Sequence, residues 1–197
     1  MIRTFVAIEL NPLVRKALAQ VQEDLRSRLQ KATGPEVRIQ WVKPESVHLT
    51  LKFLGDIPEE RVPEIETALA RVAGARARCT VDVGGLGAFP DTRAPRVLWV
   101  GLSGQVEGVT QLAAAVERAL VALGCAPEPK PFNPHLTLAR IKERSRDIGR
   151  ALAAGRLLEQ VTPVGTVTVN AVALMKSELK PSGAVYTKLC EAPLKEA

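Results

Sequence analysis

The stretch SVHLTLKFLG at residues 46–55 decides the fold, because its central tetrapeptide returns in NPHLTLARIK at residues 133–142. Both copies hold His-Leu-Thr-Leu, and the chain's only two histidines, His48 and His135, sit one in each. In a strand, successive side chains point to opposite faces. Strict alternation over 47–54 puts Val47, Leu49, Leu51 and Phe53 on one side and His48, Thr50 and Lys52 on the other. The first side suits a core and the second faces water or a ligand. His135 and Thr137 repeat the arrangement against Leu136 and Leu138. At ordinary residue frequencies a histidine is followed by Leu-Thr-Leu by accident roughly once in a thousand times or less. A duplication could carry the tetrapeptide along without function, but the surrounding residues of the two halves differ freely.

The flanks of the two copies also correspond. Val14, Leu18, Val21, Leu25 and Leu29 form one helical face within 11–32, with Asn11 as cap, Pro12 in the first turn and Gly34 as stop. A second helix is expected over about 58–73, a third within 105–123 ending at Gly124, and a fourth over about 145–158 with Ser145 as its cap. Strand-like runs lie at 2–9, 36–42, 47–54, 78–84, 96–102, 135–140, 164–175 and 184–190. Each half then reads strand, helix, HLTL strand, helix, strand. An internal duplication follows, with approximate halves 1–90 and 91–197 and a seam near GAFPDTRAPR at 87–96, which is rich in turn formers. Strands alternating with helices argue for an α/β or α+β sandwich, and the duplication for two similar α+β lobes that each contribute one HLTL strand.

With 46% hydrophobic and 24% charged residues, the chain has the composition of a folded globular protein rather than a disordered one. Its formal charge of +6 favours polyanionic partners, although many basic proteins bind no nucleic acid. Cys79, Cys125 and Cys190 are odd in number and never paired as Cys-x-x-Cys, which points to reduced thiols rather than a disulfide framework or a zinc cluster. The apolar N-terminal run stops at Glu9, and no stretch approaches a membrane span. A cytoplasmic setting is expected.

Two histidines with two threonines across a cleft suit in-line phosphoryl transfer without a metal. Histidine titrates near ~6.5, so near neutral pH one imidazole serves as base and the other as acid. One deprotonates the nucleophile, the other protonates the leaving oxygen, and the threonine hydroxyls hydrogen-bond the non-bridging phosphate oxygens. No further ligands accompany either histidine to build a metal site. No Gly-x-Ser-x-Gly elbow is present, and GGLG at 84–87 lacks the ending of a phosphate loop and suits a turn or bulge.

These segments, together with RTFVAIEL (3–10), WVKPESVHLTLKFLG (41–55), RVLWVGL (96–102), KPFNPHLTLAR (130–140) and LMKSELKPSGAVYTKL (174–189), make the chain resemble the two-histidine phosphoesterases, specifically the RNA 2′,3′-cyclic phosphodiesterases also called 2′-5′ RNA ligases. The resemblance implies a single α+β catalytic domain of two pseudo-symmetric lobes, each an antiparallel sheet with two helices, around a cleft. The activity it implies is hydrolysis of an RNA 2′,3′-cyclic phosphate end to a 2′-phosphomonoester, with neither metal nor nucleotide cofactor. It implies reversible 2′-5′ joining of tRNA halves in some members. His48 would be the proton donor, His135 the acceptor that activates water, and Thr50 and Thr137 the phosphate holders. Arg140 matches a family arginine near the phosphate, but strict alternation puts it opposite His135, so a bend is needed or it is an exposed strand-end residue. Lys52 either adds positive potential beside His48 or is a surface lysine. Arg3, Phe5 and Tyr186 either line the cleft or, for Phe5 and Tyr186, pack in the interior. No membrane and no obligatory protein partner is implied. A non-catalytic RNA-end binder and a phosphodiesterase of small cyclic nucleotides stand as alternatives.

Overall fold

Phe5, Val6, Ala7 and Ile8 are buried in succession in strand β1 (Ile2–Glu9), which marks a strand covered on both faces and flanked on both edges. The computed structural model describes residues 1–34, 37–159, 163–180 and 183–196. After β1 come helix α1 (Pro12–Thr33), β2 (Ile39–Trp41), β3 (His48–Ile57), α2 (Val62–Gly74) and β4 (Cys79–Phe89). The second half continues with β5 (Val97–Gly104), α3 (Val106–Ala122), β6 (His135–Ile141), α4 (Ser145–Ala154), β7 (Gly165–Val169), β8 (Ala171–Lys180) and β9 (Gly183–Pro193).

Local chemistry explains most of these boundaries. Asn11 accepts a hydrogen bond from the Val14 N–H at 2.9 Å and caps α1, whose stripe of Val14, Leu18, Leu25 and Leu29 is buried. A short 3₁₀ turn, Glu59–Arg61, precedes α2, so that Pro63 falls in the first turn where its missing N–H costs nothing. The fourth helix is capped differently from the expectation. Ser145 is its first residue and caps nothing with its hydroxyl; Arg144 takes the cap position with φ 50° and bonds Asp147 of the first turn at 2.7 Å. GGLG is a bulge inside β4, with Gly85 at φ 73°.

Two antiparallel sheets result, ordered β3-β1-β8-β9 and β2-β6-β5-β4-β7. The sheets do not follow the sequence halves. Within each half the first strand pairs with the histidine strand, β1 with β3 and β5 with β6. The fourth strand of each half instead joins the other half's sheet: β4 pairs with β5, and β8 with β1. The apolar run expected as one strand over 164–175 is therefore two, broken at Asn170, because β7 belongs to the second sheet and β8 to the first. The covering helices exchange as well. Helices α2 and α3 pack together over the first sheet, and α1 with α4 over the second. One continuous core joins both layers, while Phe5, Ala7, Ala173, Met175 and Tyr186 form a small apolar cluster on the opposite face of the first sheet. That face is where the histidine strands meet, since β3 lies beside β6.

Candidate active site

His48 and His135 each open their strand, and each is anchored the same way. The Nδ1–H of His48 donates to the Ser46 carbonyl at 2.8 Å, and that of His135 to the Asn133 carbonyl at 2.7 Å. A carbonyl can only accept, so the proton sits on Nδ1 and Nε2 is the working atom in both rings. Thr50 and Thr137 follow two residues on, both half-buried beside their histidines.

The alternation then breaks at the same place in both copies. Val6 pairs with Lys52 and Ala7 with Thr50, leaving Leu51 as the extra residue of a bulge; Leu98 pairs with Ala139 and Trp99 with Thr137, leaving Leu138. Each bulge swaps the faces beyond it. Lys52 turns inward and is 1% exposed, while Phe53 turns outward and is 57% exposed. Lys52 thus neither shares the face of His48 nor stands at the surface: its ammonium is bound to Glu117 at 2.6 Å and to the Ala126 carbonyl at 2.8 Å. Phe53, expected in the core, faces Phe5 across 6.2 Å. In the second copy the swap supplies the bend that Arg140 needs. Arg140 is exposed, on the histidine face, close enough for its charge to act on both His48 and Tyr186.

Phe5, itself buried in the small apolar cluster, and the half-buried Tyr186 both pack against the His48 ring. Phe5 stacks on the His48 ring at 4.6 Å and 26°, and Tyr186 meets that ring edge-on at 5.1 Å. Burial between them pushes the His48 pKa below its ordinary value; the Ser46 carbonyl opposes this, and the charges of Arg140 and Arg15 add to it. Burial likewise pushes the Tyr186 phenol up. Arg3 is exposed on β1, two residues beyond Phe5 and opposite Asp56. Around His135 the aromatic residues are Phe89, edge-on at 5.0 Å, and Trp99 at 6.3 Å, neither of which was anticipated. Trp99 lies flat over Gly87, where an added Cβ would stand 2.1 Å from the indole. Their one signal in the sequence is position, since Trp99 and Thr137 are cross-strand partners. Among the described residues no group of three or more His, Cys, Asp and Glu side chains gathers in metal-binding geometry.

A duplicated fold with paired His-x-Thr strands facing one cleft can be set against known proteins. The model of the LigT-like phosphoesterase family matches twice in tandem, over residues 8–99 and 100–186. The chain belongs to this family. An RNA 2′,3′-cyclic phosphodiesterase of Aquifex aeolicus is 35% identical over 94% of this chain and 94% of its own, and one of Methanothermobacter thermautotrophicus is 32% identical over 95% and 96%. The LigT-like architecture also fits the crystal structure of TT0787 of Thermus thermophilus, with a TM-score of 0.75, 32% identity and 98% of both chains covered. The Escherichia coli LigT complex with 3′-AMP aligns with a TM-score of 0.70 at 25% identity, over 98% of both chains.

Proposed function

We propose that this LigT-like phosphoesterase hydrolyses the 2′,3′-cyclic phosphate end of RNA to a 2′-phosphate. The observation that carries the reading is the pair of histidines with identically anchored rings, each two residues from a threonine, on adjacent strands of opposite sheets. His135 Nε2 takes a proton from water as the water oxygen attacks phosphorus. His48 Nε2–H gives a proton to O3′ as the P–O3′ bond breaks, leaving phosphate on O2′. Thr50, Thr137 and Arg140 bind the non-bridging oxygens where charge grows. Burial lowers the His48 pKa in the free protein, and a bound phosphodiester anion offsets the Arg140 and Arg15 charges and favours its imidazolium. Substrate binding therefore loads the acid. Phe5 and Tyr186 hold His48, and Arg3 lies along the RNA path beyond Phe5.

Run backwards with a ribose hydroxyl in place of water, the same steps join RNA ends 2′-5′, with tRNA halves as natural substrates. A cytoplasmic setting accords with the free thiols Cys79, Cys125 and Cys190. The test is incubation of chelator-treated protein with a short RNA ending in 2′,3′-cyclic phosphate. A phosphatase-sensitive 2′-phosphate product is expected. An unchanged cyclic end with RNA bound would favour an end-binding protein, and turnover of mononucleotides alone would favour small cyclic substrates.

A further inference from the structure

The bulges at Leu51 and Leu138 decide what faces the cleft, and each is braced by a polar side chain from a helix, the buried Gln22 of α1 and the partly exposed Glu117 of α3. On α1, Gln22 follows Val14 and Leu18 down the buried stripe; on α3, Glu117 follows Val109 and Ala113 at the same spacing. Both stand where periodicity calls for an apolar residue. Gln22 is 5% exposed, and its Nε2 donates to the Leu138 carbonyl at 2.9 Å and to the Val42 carbonyl at 2.7 Å. Glu117 accepts from Lys52 Nζ through Oε2 and from the Glu128 N–H, at 2.9 Å, through Oε1. Glu128 in turn accepts from the Phe53 N–H at 3.1 Å. Burial opposes ionisation of Glu117, but the Lys52 ammonium and the Glu128 N–H together hold its carboxyl below the ordinary range.

Each clasp joins a helix, the segment that follows it and the histidine strand of the opposite half. Helix α1 and Val42 belong to the first half and grip β6; α3 and residues 126–128 belong to the second and grip β3. A leucine in place of Gln22, or an apolar residue in place of Lys52, would bury without a desolvation cost, so these buried polar groups are expensive unless the strand needs their bonds. A bulge released from its bond can slip back to plain alternation, which moves every side chain beyond it to the other face.

We propose that Gln22 and Glu117 are positioning residues for the reaction, which hold the bulges at Leu138 and Leu51 and thereby aim Arg140 and Phe53 into the cleft. The inference rests on the phosphodiesterase reading of that cleft, so the first readout is the affinity for inorganic phosphate by calorimetry, which requires no turnover. A failure to hydrolyse RNA would sink the reaction and leave the clasp testable.

The experiment is a cycle of Gln22→Met and Arg140→Ala. Gln22→Met is expected to weaken phosphate binding and kcat/KM about tenfold in the parent and less than about twofold when Arg140 is already alanine, because the two changes remove one contact. Equal losses in both backgrounds, or no loss in a variant whose thermal midpoint has dropped, would overturn the proposal. Should Gln22→Met fail to fold, the second clasp provides the same test through Lys52→Met with Glu117→Leu, an apolar replacement of an ion pair whose lysine is buried and whose glutamate is partly exposed. Its loss of kcat/KM on a dinucleotide 2′,3′-cyclic phosphate is expected to vanish in a Phe53→Ala background, and persistence there refutes the proposal.

Discussion

The two histidines share an anchor, a strand position and a threonine, yet their surroundings differ. His48 packs in a triangle of rings with Phe5 and Tyr186, which also touch each other, and its basicity is lowered by burial. His135 is edged by Phe89, with Trp99 further off over Gly87. Five residues beyond His48 stands Phe53, and at the corresponding place beyond His135 stands Arg140. Duplication supplied two histidines with equal anchors, and divergence of their neighbours made their settings unequal. Both histidines have aromatic neighbours, but at the equivalent position one copy carries an aromatic ring, Phe53, and the other a positive charge, Arg140.

The largest effect that can break this comparison is loss of either histidine. His48→Ala and His135→Ala are each expected to lower kcat by about 10²–10⁴, read by product formation on cyclic-ended RNA. They should part on a phosphodiester with a p-nitrophenolate leaving group, which needs no proton. There His48→Ala regains activity and His135→Ala does not, and the opposite pattern would exchange the two roles. They should also part in stability, because His48→Ala forfeits two close ring contacts worth about 1 kcal/mol each, whereas one of the two rings near His135 stands at 6.3 Å, as thermal melts will report.

Next in size, Arg140→Ala is expected to raise KM more than it lowers kcat, by about tenfold, since it removes a charged hydrogen-bonding group from the phosphate. An unchanged KM would mean that the second bulge does not aim Arg140 at the ligand. Gly87→Ala should cost several-fold in kcat by lifting Trp99 toward His135, and the indole fluorescence should change with it.

The smallest effect sharpens the electrostatics. With only two histidines, the imidazole NMR signals assign by difference against His135→Ala. His48 is expected to titrate below 6.5 in the free protein, to rise with added inorganic phosphate, and to move toward 6.5 in Phe5→Ala. The sign follows for stability. Below 6.5 the unfolded chain takes up the proton first, so stability falls as pH drops from there toward the folded value, and His48→Ala flattens that slope.

Much of the site was legible because alternation holds across His48, Leu49 and Thr50 and across the second copy. What lay beyond was not, since nothing in LKF or LAR marks a bulge locally. The hint was an arginine five residues after a histidine that a polar face would place at four or six. The inward turn of Lys52 depends on Glu117, far along the chain, and no local pattern reports such a partner. Similarly, residues 164–175 read as one strand, since an apolar run does not show that Asn170 hands the chain from one sheet to the other. Helix stripes were plain, but Gln22 on α1 gave no sign that its amide reaches the opposite half's strand.

The exchange of β4 and β8 between the halves bears on how such a chain can be divided. Cut at the seam, the first fragment keeps β1 and β3 but loses β8, and the second keeps β5 and β6 but loses β4. Neither fragment carries a whole sheet or a whole catalytic pair. Two copies of a half-length chain could complete each other only by trading strands as an intertwined dimer, with one active cleft shared between them. Joining the halves in a single polypeptide makes that trade intramolecular and frees it from dilution.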